Sequence, residues 1–276
     1  MGLRINTNVQ SLVSQHRLST NRENLQHTQE KMASGSRITK AMDDAAGLAI
    51  SESLRSTIRA TGQNIKNAHD GFYLLQTADG ALNEVTNIVV RMKELSTQAA
   101  SDTNGDKERG YLDNEYQQLK QELDRISETT LFNGRPLLNG EGGEIAIQVG
   151  PNNREGLDRV LVAANFKINL DELGIGDLSV ESAENARNAL EPITGALDKI
   201  AAVRGAIGAG ESRLNSALGS LAHYEENTQA AFAQIRDADF AYETSQMTKQ
   251  SILTQAGLSV LAQANASPQM ALKLLG

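Results

Sequence analysis

Few side chains in this 276-residue chain have the type and spacing to do chemistry. Four histidines, His16, His27, His69 and His223, could ligate a metal, but none stands in an H-x-x-x-H or H-E-x-x-H spacing, so no zinc site is expected. Asp43-Asp44 could share a divalent cation. The pair also opens the run MDDAAGLAI, where carboxylates favour the positive end of a helix dipole, and that is the reading adopted. Gly205, Gly208 and Gly210 in AVRGAIGAGES look like a phosphate-cradling loop, yet no strand precedes them and apolar heptads continue through them. Close helix packing is expected there instead. Asn265-Ala266-Ser267 fits a glycosylation sequon, a three-residue pattern of low specificity. No Walker loop, nucleophile elbow or cysteine occurs. The chain is therefore expected not to be an enzyme, with no catalytic residue, metal or cofactor.

Composition narrows the alternatives. The net charge of −8 argues against a nucleic-acid partner, which would require clustered Lys and Arg to displace counterions. With 39% apolar and 22% charged residues the chain is not a disordered polyampholyte. Aromatics are only 4%, without Trp, which suits long helices packed through Leu, Ile, Val and Ala better than a compact enzyme core. The opening MGLRINTNVQSLVSQHRLST lacks the apolar stretch of a Sec signal, and Asn6 stands where a myristoylation pattern needs Ser or Thr. No apolar run approaches the length of a membrane span, so no membrane partner is expected.

The elements follow from proline and periodicity. Proline occurs only at 136, 151, 192 and 268, and a proline in a helix interior costs roughly 3 kcal/mol. Long helices are expected before Pro136 and after Pro192. Leu18, Leu25 and Met32 recur every seven residues before Gly35, a helix stop. Ile58, Ile65 and Phe72 do the same, as do Ala68, Leu75, Leu82 and Val89, on a helix from about residue 47 to 100. After the breaker DTNGDKERG, Leu112, Tyr116, Leu119, Leu123 and Ile126 keep a 4-3-4-3 spacing. Ile193, Ile200, Ile207, Leu214, Leu221, Thr228 and Ile235 share one heptad position. Between 130 and 180, Asn133-Gly134 and Asn139-Gly140 signal turns, and the alternating Ile145, Ile147 and Val149 signal a half-buried strand, giving two or three short strands. The expected fold is mainly α: long antiparallel helices in a coiled-coil-like bundle, a small β-hairpin region, and adjacent N- and C-termini.

One stretch resists a monomeric reading. QSILTQAGLSVLAQANASPQMALKLLG, residues 250–276, carries Lys273 as its sole charge. It is too apolar for a solvated tail and too polar to span a membrane. Ile252, Leu253, Ala256, Leu258, Val260 and Leu261 spread over more than one helix face, and leftover apolar surface requires further partners, most simply other copies of the chain.

Long stretches of the sequence resemble bacterial flagellin. These are INTNVQSL (5–12), MASGSRITKAMDDAAGLAISESLRSTIR (32–59), NAHDGFYLLQTADGALNEV (67–85), VVRMKELSTQAA (89–100), LFNGRPLL (131–138) and IRDADFAYETSQMTKQSILTQAGLSVLAQANASPQMALKLL. The resemblance covers both terminal regions and nearly the whole chain. It implies an inner coiled-coil domain of 1–46 with 236–276, forming the filament core and lining its channel, and a helical rod domain of 47–235. The centre is too short for large outer domains.

The resemblance further implies a homopolymer, the helical flagellar filament used for swimming. It implies secretion by a flagellar type III export apparatus and a chaperone that binds the C-terminus, with filament cap and hook-junction proteins as further partners. Inner-layer contacts would join Ile5, Val9, Leu12, Leu25 and Met32 to Ile252, Leu253, Leu258, Leu261, Leu272 and Leu275. The spoke SGSRITKAMDD would pair Arg37, Lys40, Asp43 and Asp44 between neighbouring subunits. A vertebrate Toll-like receptor would contact Arg91, Leu95 and Glu115, although Val90 stands where Gln is common and Lys93 where Arg is common. A hook–filament junction protein and a cytoplasmic coiled-coil signalling protein are the alternative readings.

Overall fold

A computed structural model describes residues 7–154, 156–163 and 166–275, and the side chains of residues 163 and 268–275 lie outside that description. In chain order the elements are α1 (Val9–Ser34), α2 (Ala45–Ala99), α3 (Asp106–Thr129), β1 (Leu131–Phe132), β2 (Arg135–Pro136), β3 (Glu144–Gln148), β4 (Arg159–Ala163), α4 (Leu170–Leu173), α5 (Ala183–Arg236) and α6 (Phe240–Leu275). They form two compact units: unit 1 is Met1–Thr57 with Asn227–Gly276, and unit 2 is Ile58–Glu226. Helices α2 and α5 contribute to both.

Unit 2 holds the apolar core. The heptad stripe of α2 is buried at Ala68, Leu75, Leu82 and Val89, that of α3 at Tyr116 and Leu123, and that of α5 at Ile193, Ile200, Ile207, Leu214 and Leu221. Within this unit α2 and α5 run antiparallel. Arg204 Nε donates to Asp79 Oδ1 at 2.8 Å, and Leu75 Cδ1 lies 3.1 Å from where a Cβ on Gly210 would stand. Gly205 and Gly208 face open space, so close packing accounts for one of the three α5 glycines and not for the other two. The turn after α2 is closed by Arg109, whose guanidinium donates to the carbonyls of Ala99 and Ser101 and satisfies groups that a helix C-terminus leaves unpaired.

Among the described residues the strands number four, not two or three. β1 and β2 are joined by Asn133-Gly134, both with positive φ, the backbone a two-residue hairpin turn requires. β3 and β4 pair antiparallel with Ala146 opposite Leu161 and Ile147 opposite Val160. The second Asn-Gly makes no hairpin: Asn139 Oδ1 accepts from the Glu141 backbone N–H, and Asn139 bridges to Lys167. The β3–β4 hairpin rests on α2 at Gly71, where a Cβ would come within 2.0 Å of Ile147 Cδ1.

Helix α5 begins at Ala183, nine residues before the proline expected to precede it. Pro192 sits inside the helix. Its missing N–H leaves the Asn188 carbonyl without an intrahelical donor, and Asn188 is exposed, so water can take that bond. Heptad contacts on both sides of the proline offset what remains of the cost.

Two glycines of α2 should respond oppositely to a side chain. Gly71→Val forces Ile147 and the hairpin away and should lower unfolding free energy by about 1–3 kcal/mol. Gly80, with nothing within 4 Å of a Cβ, should tolerate alanine and gain about 0.5–1 kcal/mol. Urea denaturation followed by circular dichroism measures both.

Candidate assembly interface

Unit 1 is built from α1, the segment 35–44, the start of α2, the end of α5, and α6. Asn8 caps α1, accepting from the Ser11 N–H at 3.0 Å, and Gly35 ends it in the left-handed conformation. α1 runs antiparallel to α6. Asn8 Nδ2 donates to the Ala264 carbonyl at 2.8 Å, Ser11 Oγ donates to Asn265 Oδ1 at 2.7 Å, and Leu18 packs over Gly257. These contacts set the start of α1 beside α6 near Ala264.

What this unit lacks is an interior. Among its described residues the buried apolar side chains are Leu18, Ile38 and Ala264, while Ser11, Thr28, Ser51, Thr228 and Glu243 are buried polar ones. Of the residues expected at the inner layer, Val9 is 54%, Leu12 56% and Ile252 60% exposed. Leu253 and Leu258 are also exposed, and Leu25, Met32 and Leu261 are half-buried. Ile5 and the side chains of Leu272 and Leu275 lie outside the described residues. Val13 and Val260 add to the uncovered surface, and with Val9, Gln10, Ser14, Gln263, Ala264 and Ser267 they line an open groove of about 700 Å³ between α1 and α6.

The segment 35–44 is tied down within the chain. The Arg37 backbone N–H donates to the Arg236 carbonyl at 2.7 Å, and its guanidinium donates to the Ile235 carbonyl at 2.8 Å. Lys40 pairs with Glu30 at 2.7 Å. Asp44 caps α2, its Oδ1 accepting from the Gly47 N–H. Asp43 is nearly buried and accepts from the Thr39 and Lys40 N–H groups and the Thr39 hydroxyl, with His27 Nε2 3.1 Å from its other oxygen. Burial pushes the Asp43 carboxyl up. The Lys40 and Thr39 donors and His27 together outweigh it and hold the group well below the usual carboxylate range. The sequence pattern missed these intrachain partners because they come from α1, α5 and the local turn, at separations no periodicity encodes.

On the outer side of α2 in unit 2, Arg91 donates to Glu115 at 2.9 Å and to Glu94 at 2.9 Å, and all three are exposed. Leu95 is fully buried in the core of this unit.

The sequence pattern of the bacterial flagellin N-terminal helical region matches residues 5–142, and that of the bacterial flagellin C-terminal helical region matches residues 190–275. The chain belongs to the bacterial flagellin family. A flagellin of Halalkalibacterium halodurans is 39% identical over 271 residues, 98% of this chain and 99% of that one. Flagellin B of Vibrio anguillarum is 31% identical, with both chains covered completely by an alignment of 376 positions. The extra positions mark this chain as a short flagellin without a large outer domain. The crystal structure of Bacillus cereus flagellin is similar at a TM-score of 0.50 and 32% identity, over 56% of this chain and 88% of that one. A putative flagellar hook-associated protein of Vibrio parahaemolyticus, 14% identical, shares the fold at a TM-score of 0.58 over 71% of this chain and all of its own.

As a flagellin the chain is a structural subunit of the flagellar filament and serves motility. No helix among the described residues is long and apolar enough to cross a membrane.

Asp43→Asn should loosen the turn that the carboxylate organises. A carboxylate held below its ordinary pKa contributes fully above that value, about 3.9, and the contribution is lost as pH falls below it. At pH 7 the Thr39 and Lys40 amides should exchange with solvent about tenfold faster in the variant. The difference should shrink below about pH 4, once intrinsic exchange rates are corrected for.

Proposed function

We propose that unit 1 is the filament's inner layer and acquires its missing core from neighbouring copies. The observation that carries this reading is the contrast in burial: the apolar cluster lies wholly within unit 2, while unit 1 leaves Val9, Leu12, Val13, Ile252, Leu258 and Val260 uncovered. Each large apolar side chain removed from water contributes roughly 1.5–3 kcal/mol. Ordering costs about 1–2 kcal/mol per residue of backbone, so the terminal helices gain most of their order on assembly. Ile5, Leu25, Met32, Leu253, Leu261, Leu272 and Leu275 join the same interface. Within unit 1, residues 1–46 and 236–276 form the core layer, and the remainder, 47–57 and 227–235, leads into the rod of 47–235.

Gln255 and Ser259, exposed polar side chains of α6, face a wet central channel. Near-absence of charge suits that wall, because a ring of repeated charges would repel itself. Arg37, Lys40, Asp43 and Asp44 hold the spoke within each subunit through the contacts described above and present the remaining charge to neighbours. Subunits leave the cell through a type III export apparatus, escorted by a chaperone that binds the C-terminus, and meet the cap and hook-junction proteins at the growing structure. Arg91 and Glu115 form the outer contact for a vertebrate Toll-like receptor, supported from beneath by Leu95.

Deleting residues 250–276 should abolish polymerisation and leave a soluble, helical subunit. Sedimentation and electron microscopy after salt-induced assembly read the outcome, and normal filaments from the truncated chain would contradict the proposal.

A further inference from the structure

The seam between α1 and α6 has few contacts that fix axial position. Leu18 rests on Gly257, whose added Cβ would meet it at an ordinary 3.4 Å, and the Gln250 side-chain oxygen is buried without a partner. A slip of one helical turn would replace Gly257 by Leu261, a larger side chain that Leu18 could admit only by changing its rotamer or the helix spacing. What is specific lies at one end. The Asn8 amide is used on both sides: its oxygen caps α1 through the Ser11 N–H, and its nitrogen donates to the Ala264 carbonyl at 2.8 Å. Ser11 Oγ accepts from Gln15 Nε2 and donates to Asn265 Oδ1 at 2.7 Å. Ser11 and Ala264 are 6% and 7% exposed, so water does not compete freely for these bonds. Among the described residues they are the side-chain hydrogen bonds that cross from α1 and its cap to α6.

We propose that Asn8, Ser11 and Asn265 act as a register pin, positioning residues that set where α6 sits along α1. A polar group in an otherwise apolar seam selects one register, because every other register leaves it buried and unpaired. The same Asn8 amide starts α1, so correct docking of α6 and correct capping of α1 are one event. Val9, Val13 and Val260 flank the pin and line the open groove, so a slipped register would present a different surface to the next copy. That last consequence rests on the assembly proposed above; the pin itself does not.

The chain has no cysteine, so engineered thiol pairs report register cleanly. Leu18→Cys with Gly257→Cys reads the observed register, and Leu18→Cys with Leu261→Cys reads a slip of one turn. A short thiol cross-linker is applied to the full chain before and after salt-induced assembly. The observed pair should dominate. Combining Asn8→Asp, which keeps the cap acceptor but loses the donor, with Asn265→Ala should lower the ratio of observed to slipped cross-link by about tenfold. Asn265→Asp alone retains the acceptor for Ser11 and should keep the original ratio. An unchanged ratio in the double variant would overturn the pin, including the case in which both cross-links weaken together. So would Asn265→Asp behaving like Asn265→Ala. If the unsubstituted chain holds the observed register yet never polymerises, the assembly reading fails, while loss of the ratio in the double variant still supports the pin.

Discussion

Two paired helices can cover only one face of each, and α1 and α6 carry apolar side chains on more than one. Everything distinctive about unit 1 follows from that constraint. Its seam is narrow, closed by Leu18 over Gly257 and by the polar group of Asn8, Ser11 and Asn265, while Val9, Leu12, Ile252 and Leu258 point elsewhere. Such a unit is incomplete by design of its sequence. On the proposed reading, its uncovered faces are an assembly surface that becomes a core only when copies meet.

Unit 2 shows the opposite balance. Its heptad stripes meet side by side, and Leu75, Leu82, Leu123 and Ile193 have no exposed surface. Within unit 1, the segment 35–44 is held by hydrogen bonds and ion pairs around the buried Ile38: Arg37 on the Ile235 and Arg236 carbonyls, Lys40 on Glu30, and Asp43 gathering three donors beside His27. Bonds of this kind fix geometry without requiring a large buried area.

Much of this was legible in the residues because it rests on periodicity. The stripes of α2, α3 and α5 predict the core of unit 2, Gly35 the end of α1, and Asn133-Gly134 a hairpin turn. What periodicity cannot express was missed. Pro192 marks no helix start, because an exposed Asn188 carbonyl and flanking heptads let the helix pass through it. Asn139-Gly140 has the same letters as the hairpin turn but serves a bridge to Lys167. Gly205 and Gly208 resemble a packing motif and face open space. At the proposed assembly interface, the apolar residues stand out by their spacing, whereas Asn8, Ser11 and Asn265 are ordinary polar letters whose contacts depend on meeting across more than two hundred residues.

Amide hydrogen exchange on monomer and filament tests the central claim most directly. If unit 1 gains its core from other copies, residues 9–34 and 240–267 exchange rapidly in the monomer and become strongly protected in the filament. The buried stripes of α2, α3 and α5 in unit 2 are protected in both. Equal protection of α1 and α6 in monomer and filament would contradict the account.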